Sequence, residues 1–122
     1  KKIVLITGVM DDKDITGVLK PLVSIAESII LTKPNYSRAA LPEKLEQIII
    51  SLRESGMNIT DSVTKSDTIS DALDSAKALS RKDNIILITG SFYTTGEVKE
   101  VLGCTAILPR LREQVKSEEA GK

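Results

Sequence analysis

The stretch Asn84-Ile-Ile-Leu-Ile-Thr-Gly-Ser-Phe-Tyr-Thr-Thr-Gly-Glu-Val-Lys-Glu-Val-Leu-Gly103 decides how the rest of the chain is read, because an apolar run there turns abruptly into helix chemistry. Ile85 to Ile88 form a short continuous apolar run rich in β-branched residues, the signature of a strand buried on both faces of a parallel sheet. Thr94-x-x-Glu97 has the pattern of a capping box, Tyr93 and Val98 are spaced for a hydrophobic staple, and Gly103 falls where a left-handed residue ends the helix. That reading leaves Gly90, Ser91 and Phe92 in the turn above the strand. Ligands of open α/β sheets bind outside the carboxyl ends of the strands, where a helix N-terminus offers free N–H groups and a positive dipole to an anion. Ser91 is the first candidate, since neither core packing nor the capping box uses it.

Working outward, Ile3 to Ile6 followed by Thr7-Gly8 repeats in miniature the Leu87-Ile-Thr-Gly90 of the opening stretch, and both are predicted as buried parallel strands. Ile15, Val18, Leu19 and Leu22 then fall at helical spacing, with Asp12 or Asp14 as the cap and Pro21 kinking or shortening the helix. Ser28 to Thr32 is the next strand, followed by the polar loop Lys33 to Arg38. Pro42 suits the first position of a helix, Glu43 and Glu46 favour its dipole, and Leu45, Ile48, Ile49 and Leu52 make an apolar stripe that stops at Gly56. Asn58 to Val63 reads as a weak edge strand. Ser66 or Asp67 is placed to cap a helix whose Ile69, Ala72, Leu73, Ala76 and Leu79 share one face, and Asp83-Asn84 turns the chain into the last strand. The alternation β-α-β-α-β-α-β-α predicts an α/β fold: a three-layer, open, mainly parallel, Rossmann-like sheet with helices on both faces. Residues 1–103 are the expected domain, and 104–122, with a Pro and many charges, a C-terminal extension or linker.

Composition removes several function classes. The 122 residues carry 17 basic and 17 acidic side chains, so no global field points to nucleic acid or to a membrane. One Phe and two Tyr are too few for base-stacking platforms. There is no His, which takes away histidine acid/base chemistry, Ser-His-Asp triads and most zinc sites. A single cysteine, Cys104, allows no intrachain disulfide and suggests a reduced, cytoplasmic setting. No apolar run approaches the ~18 residues of a membrane span, and the first strand begins so early that the chain reads as a piece of something longer.

Neither the dinucleotide fingerprint G-x-G-x-x-G nor the phosphate loop G-x-x-x-x-G-K-[ST] occurs. Three polar loops remain at the carboxyl edge of the predicted sheet: Asp11 to Asp14, Lys33 to Arg38, and Ser91 to Thr95. Together they would form a binding face for an anion, with Lys13, Arg38 and the N–H groups near Ser91 as donors. They contain no catalytic apparatus and no metal site. Asp12 and Asp14 are also ordinary helix caps, and Lys13 and Arg38 ordinary surface charges, on the simplest reading.

Three segments in order, ITGVMDDKDI ending at Ile15, LTKPNYSRAA ending at Ala40 and ITGSFYTTGEV ending at Val98, resemble the C-terminal domain of the folylpolyglutamate synthases, a branch of the Mur ligase family. The resemblance runs from about Ile3 to Leu102 and rests on D-K-D after the first strand, the T-x-P-x-x-x-R-A-A loop and T-G-S-[FL]-Y-x-x-G-E-V. It implies part of an ATP-dependent ligase that joins the γ-carboxyl of a folate's glutamate tail to the amino group of an incoming glutamate through an acyl phosphate. In that family a central ATPase domain, absent here, carries the phosphate loop and the Mg2+ ligands, so ATP and Mg2+ are cofactors of the whole enzyme. The C-terminal domain closes over the cleft and contacts glutamate and ATP. By position, Ser91 matches the family serine near the carboxylate of the incoming amino acid, and Lys13, Asp14 and Arg38 match further motif positions. Two departures stand out. The family's D-G-A-H-N-P segment, with its first strand and helix, has no counterpart, and Leu41 replaces the usual acidic cap before Pro42.

Two other readings compete. Asp11-Asp12 after the first strand is also what a phospho-acceptor receiver domain would show, but a receiver needs an acceptor Asp ending its third strand and a Lys after its fifth. A non-catalytic interaction module on the same scaffold is the third reading, because fold does not fix function.

Overall fold

The computed structural model describes residues 2–11, 14–81, 83–90 and 92–102. Four strands and four helices alternate: β1 (Ile3–Thr7), α1 (Ile15–Val23), β2 (Ala26–Leu31), α2 (Pro42–Glu54), β3 (Val63–Lys65), α3 (Ile69–Leu79), β4 (Ile85–Thr89) and α4 (Phe92–Val101). All strand pairs are parallel, in the order β3-β2-β1-β4. The alternating α/β architecture expected from the sequence is present.

Side-chain alternation along the central strands creates two cores, one on each face of the sheet. Leu5 of β1 with Ile29 and Leu31 of β2 meets Ile15, Leu19 and Val23 of α1 and Leu45, Ile49 and Leu52 of α2. Val4, Ile6 and Ile30 point the other way, onto Ile69, Ala72, Leu73 and Ala76 of α3 and Val98 of α4. The runs Ile3 to Ile6 of β1 and Ile29 to Leu31 of β2 are therefore continuously apolar because both of their faces are covered, while Glu27 near the start of β2 is exposed.

The helix ends follow local chemistry. Asp14 accepts a hydrogen bond from the Gly17 N–H and caps α1, which Pro21 lets run only to Val23. α2 begins with Pro42 and has Leu41 at its N-cap, with no side-chain hydrogen bond there. Its far end is a Schellman turn. Gly56 has φ +105°, the Gly56 N–H donates to the Arg53 carbonyl at 2.9 Å, and the Met57 N–H donates to the Leu52 carbonyl at 3.1 Å.

Several expected details are corrected. β3 is Val63–Lys65, not Asn58 to Val63, and β2 starts at Ala26, two residues before Ser28. Thr68, rather than Ser66 or Asp67, caps α3, accepting from the Asp71 N–H at 3.1 Å. Leu79 and Ile48 are less covered than their helical spacing suggests, Leu79 being exposed and Ile48 half-buried. β4 is not buried on both faces: among the described residues it pairs only with β1, Ile85 is exposed and the other four residues are half-buried. An edge position supplies fewer neighbours than a central one, and hydropathy alone cannot distinguish the two. Gly103 and the whole of 104–122 lie outside the described residues.

Candidate binding face at the strand ends

Strand order fixes where a ligand would sit. From β1 the chain crosses to β2 on one side, while β4 lies on β1's other side, so the order reverses between β1 and β4. Such a switch point leaves a crevice at the carboxyl ends of the two strands. Thr7 and Thr89 are register partners there, followed by Gly8 and Gly90. The two glycines touch through their backbones. Gly90 has φ +128°, and a Cβ on it would stand 2.2 Å from the Gly8 carbonyl oxygen. The repeated Thr-Gly of the two strands thus lets the crevice floor close with no side chain in it.

Three loops rise around that floor and are tied to one another. The Ala40 N–H donates to the Val9 carbonyl at 2.8 Å and the Asp11 N–H to the Arg38 carbonyl at 2.7 Å, forming an isolated antiparallel bridge between Met10 and Ala39. The loop after β1 is thereby fastened to the loop after β2. Thr94, fully buried, donates its hydroxyl to the Gly8 carbonyl at 2.7 Å, and Glu97 accepts from the Asn35 N–H at 2.7 Å. These two residues are three apart on α4, hence on one side of it, and they reach the first and second loops respectively. Lys44 of α2 pairs with Asp11 across exposed surface. Beneath the loops, the buried hydroxyls of Thr7 and Thr32 have no hydrogen-bond partner among the described residues.

This geometry overturns the capping box. α4 begins at Phe92, so Thr94 is inside the helix, as is Tyr93, and the expected staple with Val98 lapses too. The Thr-x-x-Glu spacing was legible, but tertiary partners claim both side chains: a strand-end carbonyl takes the hydroxyl, and a loop N–H takes the carboxylate. The argument that set Ser91 apart from the cap falls with the box, since Ser91 is the residue immediately before the helix.

Of the sequence-predicted site residues, Asp14 is exposed and spends a carboxylate oxygen on capping α1. Arg38 is exposed on the second loop, next to the Met10–Ala39 bridge. Lys13 and Ser91 lie outside the described residues. Sequence reasoning missed Glu97 as a loop contact, because a helix glutamate bonded to a backbone N–H 62 residues away leaves no local signal. Among the described residues no group of three or more His, Cys, Asp or Glu could hold a metal ion, and no helix is long and apolar enough to cross a membrane. The receiver reading fails on β3, which ends at Lys65, while Asp61 precedes it on an exposed bend.

A family model described as "Mur ligase, glutamate ligase domain" matches residues 1–92. The chain belongs to this Mur ligase family. No curated protein matches it in sequence. Among solved structures, this Mur ligase domain is similar to the folylpolyglutamate synthase of Mycobacterium tuberculosis, solved with ADP and AMPPCP. That likeness has 28% identity and a TM-score of 0.71 over 84% of this chain and 24% of that one. It is also similar to E. coli FolC solved with DHPP and ADP, at 25% identity and a TM-score of 0.71 over 85% and 22% of the two chains. A bifunctional folylpolyglutamate synthase/dihydrofolate synthase from Yersinia pestis, at 21% identity and a TM-score of 0.69 over 83% and 22%, shares the fold. The chain spans about a quarter of the length of the solved structures it matches.

Proposed function

We propose that this Mur ligase domain is the C-terminal part of a cytoplasmic folylpolyglutamate synthase, in which residues 1–103 close over the active-site cleft and hold the incoming glutamate. The observation that carries the reading is the clasped switch-point crevice in a chain whose structural relatives at 25% identity or more are folylpolyglutamate synthase and FolC. Residues 104–122 serve as its C-terminal extension or linker.

The domain's own contribution is positional. The N–H groups at the start of α4, the Ser91 hydroxyl, Lys13 and the Arg38 guanidinium are the donors offered to the glutamate carboxylate, and Asp14 keeps the first loop in place through its cap on α1. With the carboxylate held, the amino nitrogen of glutamate is presented to the activated γ-carbonyl of the folate tail. A C–N bond forms there, the bond from carbon to phosphate oxygen breaks, and the amine gives up a proton. ATP supplies the phosphoryl group of that activated acyl species. The sequence has no phosphate loop and the described residues no metal-holding cluster, so this domain contacts ATP from across the cleft without carrying the main grip on its phosphates and Mg2+. Those duties fall to the N-terminal and central ATPase portion of the same polypeptide.

The test is the parent polypeptide incubated with ATP, Mg2+, a reduced folate and glutamate. ATP-dependent lengthening of the folate by glutamate is the expected result. Its absence, with the protein folded and nucleotide bound, ends the reading.

A further inference from the structure

Resting on that reading, we propose that Glu97 is a positioning residue, which sets the loop after β2 against the start of α4 and so fixes the spacing of the donors that meet the glutamate carboxylate. The loop is held at its start by the Thr32 N–H donating to the Thr7 carbonyl at 3.0 Å, and at its end by the Met10–Ala39 bridge. Between those anchors its arc contains turn bonds from the Tyr36 N–H to the Pro34 carbonyl and from the Ala39 N–H to the Tyr36 carbonyl, which shape the arc without tying it to another element. The 2.7 Å bond from the Asn35 N–H to Glu97 Oε2 joins the middle of the arc to α4. Its donor is backbone and its acceptor ionised, a directional and comparatively strong pairing that fixes where the main chain of the loop lies. Thr94, one turn earlier on the same side of α4, fixes that helix to Gly8. Glu97 therefore transmits the position of α4, already pinned to the strand end, to the loop that carries Lys33 and Arg38. Losing the Glu97 bond removes a tie between the Arg38 side and the α4 side of the crevice and loosens their spacing, weakening a ligand that must touch both.

Two measurements test the assignment. In the parent ligase, Glu97→Ala should raise the glutamate KM roughly three- to tenfold, less than the loss of a direct bond to the carboxylate because the effect passes through the loop, with kcat and the melting temperature nearly unchanged. Glu97→Gln keeps an acceptor oxygen at the same reach and should restore most of the loss. In the 122-residue chain, the Asn35 amide should exchange with solvent faster in Glu97→Ala than in the wild type. An unchanged Asn35 exchange rate overturns the proposal, as does an unchanged KM, or a KM rise that tracks an equal loss of melting temperature in both variants. A wild-type parent that ligates no glutamate ends the ligase reading and this assignment with it. A working parent whose Glu97→Ala variant is kinetically identical removes this assignment alone.

Discussion

One hydroxyl joins the last helix to the first strand. Thr94 is fully buried and donates to the Gly8 carbonyl, so a Thr94→Val change, which keeps the shape but deletes the donor, strands a buried acceptor. The expected cost is about 1 to 3 kcal/mol in a urea melt, with Thr94→Ser retaining most of the stability because it keeps the donor. A valine variant as stable as the wild type would mean that this bond contributes nothing. Ser91 is argued at the same scale but toward ligand. In the parent enzyme, Ser91→Ala should raise the glutamate KM by the equivalent of about 1.5 to 3 kcal/mol while the ATP KM moves less. Because Ser91 directly precedes α4, the competing outcome is an earlier melt with a normal glutamate KM, the behaviour of a lost helix cap. Measuring both on one protein separates the roles.

Among the elements, α2 offers the plainest engineering test. Its N-cap is Leu41, 56% exposed, extended in backbone and without a side-chain bond. Leu41→Asp would add an acceptor for the first-turn N–H groups and a charge matched to the helix dipole, at little cost in lost burial. A gain of about 0.5 to 1 kcal/mol is expected in a thermal or denaturant melt. Farther along the helix, Ile49 is buried and Ile48 half-buried, so Ile49→Ala should cost about 2 to 5 kcal/mol and Ile48→Ala clearly less. Equal costs would contradict the packing of α2 on the sheet. These helices also show what was legible in advance. The 3.6-residue periodicity of α2, Pro42 at its start and Gly56 past its end located it to within a residue, because those signals are local. The same reasoning failed at Thr94 and Glu97, where identical residue types are claimed by Gly8 and Asn35 from distant parts of the chain. It also misjudged β4, whose apolar run matches a central strand although among the described residues it lies at the edge of the sheet.

At the scale of the molecule, the proposed function separates the loops offered to the ligand from the strands that support them, and assigns the phosphate loop and metal ligands to the rest of the parent polypeptide. The 122-residue chain alone should neither hydrolyse ATP nor add glutamate to a folate. Product above the enzyme-free blank, with ATP, Mg2+, folate and glutamate supplied, would show that this division of labour is wrong. The breaks after β1 and β2 were readable as polar segments after apolar runs, but Ser91 to Thr95 was read as a loop where α4 already begins at Phe92, and the bonds that fasten these segments together were not readable, since two of them involve only backbone atoms.

The strand order has one more consequence, and it concerns time rather than space. The two edges of β1 are filled by partners at very different distances along the chain. β2 lies within about two dozen residues, while β4 lies about eighty away. Emerging from the ribosome, β1 can pair with β2 long before β4 is available for its other edge. Until Ile85 to Thr89 have cleared the exit, Leu5 and its neighbours carry an open row of backbone donors and acceptors on an apolar ribbon, the kind of template that recruits the wrong strand. Within the described sheet β1 is thus half-paired until β4 arrives, and its survival in the nascent chain depends on the speed of that arrival.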